Sequence, residues 1–187
     1  MDRLSFGILA CMAEKNYFQG NSKHPQHLSV GAVIVNEKND VCCHHFLPNT
    51  LTGYWADEAK KVGAYDREFY LLMRETLNPN ETIEQALSRG MMEEFGIEGE
   101  MIDYIGSIQS HFKHDGAEVE KTTVYFLCRM ISQDLAKRDV SDIEGTTLVE
   151  WHTPEFLIPK MKEQATTFAR TDVDESSILE RMVTARI

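Results

Sequence analysis

The chain has 187 residues, long enough for one domain with a real core and an extension. Its 42% hydrophobic and 26% charged residues are ordinary for a soluble globular protein. The net charge of −11 argues against a general nucleic-acid or anionic-membrane surface, which needs a basic footprint. It leaves a small polyphosphate ligand open, because a bound metal reverses the local sign.

Residues 1–26 read as an N-terminal extension packed on the domain that follows, residues 27–187. Gly20, Asn21, Ser22 and Pro25 are loop chemistry. The apolar run near Ile8 is preceded by Arg3 against Asp2, a poor secretion signal, and no run reaches membrane-helix length. The expected compartment is the cytoplasm. Leu28 to Val35 has the composition of a buried strand, and Asn36 to Asp40 turns the chain. Val41 to Leu47 returns, so the pair reads as a hairpin. Cys42, Cys43, His44 and His45 are all metal-ligand types. Neighbours on a strand point to opposite faces, so the four do not converge on one ion. Buried thiols in a reducing compartment are expected for Cys42, Cys43, Cys128 and Cys11. Pro48 to Asp66 is a polar connection with a short helix around Ala56 to Lys61. Within it, Tyr54 and Trp55 either stack on a base or, the better reading, cover the core. Glu68 to Arg74 is the next strand.

The stretch Glu75 to Ile97 reads as a turn, a helix and a stop. Asn78, Pro79 and Asn80 are turn formers. Glu81 opens the helix, where a carboxylate meets free N–H groups and the positive end of the dipole. Gly96 supplies the left-handed stop. Ile83, Leu87 and Met91 form the apolar stripe, and Glu94 falls roughly 20° from Leu87 at helical spacing. A carboxylate on a buried stripe needs a positive partner, and oxygen ligands suit Mg2+, Mn2+ or Ca2+. The plain alternative is a last turn facing water, with Glu93 and Glu94 as surface charges.

Farther along, Met101 to Ser110 is strand-like and His111 to Glu120 a polar loop. Lys121 to Met130 is a strand with one buried face. Ser132 to Gly145 is a charged loop, and Thr147 to Trp151 another strand. Asp174 or Ser176 caps a final helix carrying Ile178, Leu179, Met182 and Val183. The sequence carries no repeat or low-complexity tract.

The Glu75–Ile97 stretch resembles the Nudix box, G-x5-E-x7-R-E-U-x-E-E-x-G-U with U aliphatic. Glu81, Arg89, Met91, Glu93, Glu94, Gly96 and Ile97 match, and Pro79 and Ala86 fall where Nudix sequences often carry Pro and Ala. The SVGAVIV strand and the WHTPEFL segment, similar to the start of the last Nudix helix, extend the likeness. The lysine-led Lys121 strand resembles, more weakly, the branch that cleaves dinucleoside polyphosphates. Two positions depart: Glu75 stands for the opening Gly, and Gly90 for the Glu after the Arg. Residue 90 lies one turn before Glu93 and Glu94, so the missing carboxylate belongs to their cluster.

The resemblance implies an α/β (α+β) fold, an α/β/α sandwich with a mixed β-sheet. It implies a metal-dependent hydrolase, Mg2+ or Mn2+, of a pyrophosphate bond in a nucleoside diphosphate linked to another moiety. Glu93 and Glu94 are the expected metal ligands, with Glu94 and Glu120 catalytic. Glu81, Arg89 and Gly96 are the structural box, with Arg89 bridging Glu81. With Gly90 in place the base must come from elsewhere: Glu118, Glu120 or Asp115 from the following loop, or Glu75 as compensation. The alternatives are a Nudix-fold nucleotide-binding or regulatory module without turnover, and an acidic domain whose box is structural only. The implied partner is a small nucleotide or polyphosphate, and a homodimer is compatible with the sequence.

Overall fold

A computed structural model of the chain describes residues 16, 18–114, 116–139, 141 and 147–185. Most of the N-terminal extension, with Cys11, and the candidate base Asp115 lie outside the described residues. The described elements are β1 (Gln26–Val35), β2 (Val41–Phe46), α1 (Gly53–Lys61), β3 (Phe69–Leu71), β4 (Met73–Thr76), α2 (Ile83–Phe95), β5 (Ile97–His114), β6 (Ala117–Gln133), β7 (Leu148–His152), α3 (Pro154–Thr167) and α4 (Ser176–Ala185).

The β1–β2 hairpin forms as its composition predicts. The Asn36 side chain accepts the amides of Lys38 and Asp40, and Asn39 takes the left-handed conformation at φ 63°. Strand β1 then runs parallel to β6 from Gln26/Glu120 to Val35/Arg129, which makes the sheet mixed. Gly31 is required in this pairing, because a Cβ there would sit 2.4 Å from the Tyr125 ring. The other edge of β1 is shared. Strand β4 pairs with Ser29 to Ala32, while β2 joins only at Val35 and pairs onward with β3 and β7.

The expected single strand Glu68–Arg74 is therefore two strands. At the switch, the Leu72 amide donates to Glu175 Oε2 at 2.7 Å rather than to a neighbouring strand. The expected loop His111–Glu120 is instead the end of a long β5–β6 hairpin that turns at Gly116, φ 76°. Lys113 faces Glu118 across that ladder as an opposite charge and His111 faces Glu120, and Val119 between them is fully buried. The charged loop also starts later than expected, since Ser132 and Gln133 end β6 and Leu135–Lys137 makes a 3-10 turn.

Helix α2 covers one face of the sheet, where Ala86, Leu87, Met91 and Phe95 pack on Val30, Ala32, Ile34 and Met73. Helices α3 and α4 cover the other, setting Leu157, Met161, Ile178 and Leu179 against Val33, Leu72 and Leu127. This is the expected sandwich of helices about a mixed sheet. Ile83 departs from the expected stripe: it is the first residue of α2, lies off the sheet and is 37% exposed. Val183 of α4 is likewise exposed. Trp55 packs with Phe46 and Phe69 and covers the core, while Tyr54 stays at the surface against Arg170.

Strand alternation sends Cys42 and His44 towards α2, and Cys43 and His45 towards α3. Cys42, Cys43 and Cys128 are buried and free. Among the described residues, no helix is long and apolar enough to cross a membrane.

Candidate active site

Helix α2 does not begin at Glu81. Thr82 is its N-cap and closes a capping box with Gln85, each side chain answering the other's amide. Glu81, just outside, is released for a different contact. Its carboxylate takes the Asn78 amide at 2.8 Å and both Nε and Nη2 of Arg89, at 2.8 and 2.9 Å. The paired guanidinium donors hold Glu81 below the usual carboxylate range. At the other end, Gly96 adopts φ 63° and closes the helix, its amide reaching Met92 O at 2.9 Å.

Arg89 also donates Nη2 to Thr76 O at 3.0 Å, and its Nη1 lies 3.0 Å from Glu75 Oε2 and 3.4 Å from Glu93 Oε2. One guanidinium thus joins the turn before the helix, strand β4 and the last helical turn. Glu93 is otherwise the freest of these acids, its side chain 48% exposed.

Glu94 points inward, its side chain 14% exposed, with Oε2 2.8 Å from His44 Nε2. Burial, with Arg138 and Arg74 nearby, lowers the His44 pKa to about 3. The contact is therefore a neutral imidazole N–H donating to a carboxylate, not an ion pair. Nδ1 is then the acceptor for the Thr147 hydroxyl at 2.7 Å. Arg138 Nε donates to Glu94 O at 2.6 Å, placing a cation at the negative end of the helix.

Gly90 is buried and faces β4. A Cβ built there would lie 2.8 Å from Met73 Sδ and 3.1 Å from Glu75 Cβ. A side chain at residue 90 would therefore crowd the two strand residues opposite.

Reading the sequence missed the roles of Arg74, Tyr125, Lys121, Asp172 and Glu175 near this site. Arg74, next to Glu75 but on the other face of β4, lies with Nε 3.7 Å from Glu175 Oε1 and donates Nη1 to Asp172 O at 2.8 Å. The Tyr125 hydroxyl donates to Glu175 Oε1. Burial raises the Glu175 pKa, and Arg74 opposes that rise. Lys121 is half-buried, and desolvation with Arg74 nearby lowers its pKa to about 8, while Glu175, Asp172 and Glu94 act in the opposite sense. The only signal in the sequence was a lysine in phase with the buried Thr123 and Tyr125.

Glu118 and Glu120 are exposed strand residues. They line an open hollow of about 330 Å³ with Pro25, Gln26 and His111, and no residue of α2 borders it. The Glu120 amide is fixed to Pro25 O at 2.7 Å.

The acids around α2 offer only oxygen, which fits a hard divalent cation in kind. Among the described residues, no three of His, Cys, Asp or Glu stand together as a finished cage. Glu75 and Glu93 are gathered on Arg89, and Glu94 on His44.

The comparisons with known proteins bear on the family and the fold. The chain is 33% identical over 92 residues to the Mycobacterium tuberculosis protein MutT4, a match covering 48% of this chain and 37% of that protein. In fold it is similar to a NUDIX hydrolase from Nitrosomonas europaea, with TM-score 0.57, 18% identity, and coverage of 84% of this chain and 88% of that one. The family model for the NUDIX domain matches residues 25–171, and the chain belongs to the Nudix family.

Proposed function

We propose that the chain hydrolyses a pyrophosphate bond in a nucleoside diphosphate linked to another moiety, with Mg2+ or Mn2+ held by Glu93 and Glu94. Family membership supports pyrophosphate hydrolysis in general. The observation that carries the reading is at the last turn of α2. There the Arg89 hub and neutral His44 orient two adjacent carboxylates, one exposed and one inward. When bound, a divalent cation neutralises the phosphate oxygens and helps ionise the attacking water.

The chain's own residues have separate tasks. His44 aims Glu94 without adding charge. Lys121, in the electrostatic field of Glu94, supplies positive charge for phosphate oxygens. Water attacks one phosphorus, the bridging P–O bond breaks, and its electron pair leaves with the departing phosphate. Glu94, oriented by His44, is the proposed acceptor of the water's proton, because Glu120 lines a hollow that no residue of α2 borders. Arg89 stays with Glu81 and holds the scaffold.

Turnover of a nucleoside diphosphate-X panel with Mg2+ or Mn2+ tests this, with Glu94→Gln and Glu120→Gln beside wild type. Glu94→Gln is expected to lower kcat by about a hundredfold or more. Nucleotide binding without turnover in wild type would replace this reading with that of a binding module.

A further inference from the structure

We propose that Glu75 supplies, from strand β4, the carboxylate that residue 90 of helix α2 lacks. The inference rests on the metal-dependent reading above and assigns it a third protein ligand.

Positions 75 and 90 are neighbours in space. A Cβ on Gly90 would be 3.1 Å from Glu75 Cβ, so the two positions share one small volume between strand and helix. Glu75 already occupies it, so a side chain at residue 90 would press on Glu75. The Glu75 carboxylate also points towards the helix acids. Its Oε2 and the Oε2 of Glu93 reach the same Arg89 nitrogen, at 3.0 and 3.4 Å. Burial raises the Glu75 pKa while Arg89 opposes that, and the charge of Glu93 is close enough to add to the rise. A divalent cation that took the place of this Arg89 Nη1 contact would find both carboxylates at hand, while Arg89 keeps Glu81 through Nε and Nη2.

The exchange also explains Gly90. A glycine inside a helix is destabilising against alanine. Here it leaves room for a side chain arriving from the strand. A glutamate at residue 90 with Glu75 still present would press on Glu75 and Met73 and bring a second carboxylate into the same space.

The test is a set of five proteins: wild type, Glu75→Gln, Glu75→Gly, Gly90→Glu and the double variant Glu75→Gly/Gly90→Glu. Mn2+ binding is read by calorimetry and folding by thermal melting. Removing the Glu75 charge is expected to weaken Mn2+ about tenfold or more. The double variant should bind within about threefold of wild type and melt above Gly90→Glu alone. Glu75→Gln keeps the side-chain volume, so it reports on charge if Glu75→Gly folds poorly. Equal Mn2+ affinity in wild type and Glu75→Gln would overturn the proposal while leaving the metal-dependent reading intact. A double variant as weak as Glu75→Gly would also overturn it. Wild type that binds no Mn2+ would remove both the reading and this inference.

Discussion

Strand β4 carries two charge clusters back to back, and they are built differently. On one face, Glu75 joins Arg89, Glu81 and Glu93, all from one continuous stretch and all partly open to water. On the other, Arg74 meets Glu175, Asp172 and Tyr125, gathered from the far end of the chain, with the Glu175 side chain 1% exposed. The first has the spacing of a motif and can exchange a partner for a ligand. The second is more deeply buried, and Glu175 at its centre takes the Leu72 amide and the Tyr125 hydroxyl beside Arg74. Partly open ion pairs are adjustable, whereas a buried pair is costly to break because the survivor remains stranded.

That contrast sets the order of expected effects. Glu175→Gln should be the most damaging, destabilising by about 3–5 kcal/mol, because it leaves Arg74 buried without its counter-charge. Denaturant unfolding measures it, and a loss below that of Arg89→Ala would reverse the contrast. Arg89→Ala should cost about 1–3 kcal/mol, less because its partners can turn to water.

The third expected effect is a pH dependence. His44 is lowered from 6.5 to about 3 in the fold, so the unfolded chain takes up its proton first as pH falls. This stability is fully present above 6.5 and is lost as pH falls towards 3, at about 1.4 kcal/mol per unit. Melting curves of wild type and His44→Gln from pH 7 to 3.5 should converge towards acid; parallel curves would mean that His44 is not held neutral. The smallest effect should be at the helix start. Ile83→Ala is expected to change stability by less than about 0.5 kcal/mol, against about 2–5 kcal/mol for Leu87→Ala. Comparable losses at both positions would mean that Ile83 is packed after all.

The same two clusters explain what was legible in the sequence. Thr82 to Gly96 is a local problem, so the helix and its stop at Gly96 follow from spacing, and the Glu81–Arg89 bridge from the resemblance to the Nudix box. Ile83 was misjudged because periodicity cannot tell a first-turn residue beyond the sheet edge from one above it. The Leu72 switch, the partner of Arg74 and the His44–Glu94 bond depend on contacts between residues far apart in the chain. No local pattern encodes them. Glu118 and Glu120 looked like loop because polar residues crowd that stretch, but cross-strand pairing with β5 makes it a ladder.

The Leu72 amide waits for a side chain 103 residues downstream. At about 5–20 residues per second, a growing chain spends roughly 5–20 s between making the strand and making its partner. Through that interval the junction between β3 and β4 has no native acceptor for this amide, and Arg74 has no counter-ion. The helical stretch with its capping box can form early, whereas the strand it packs on is completed near the end of synthesis. Nascent chains arrested before residue 175 should therefore be cut by protease near Leu72, and chains released beyond α4 should resist.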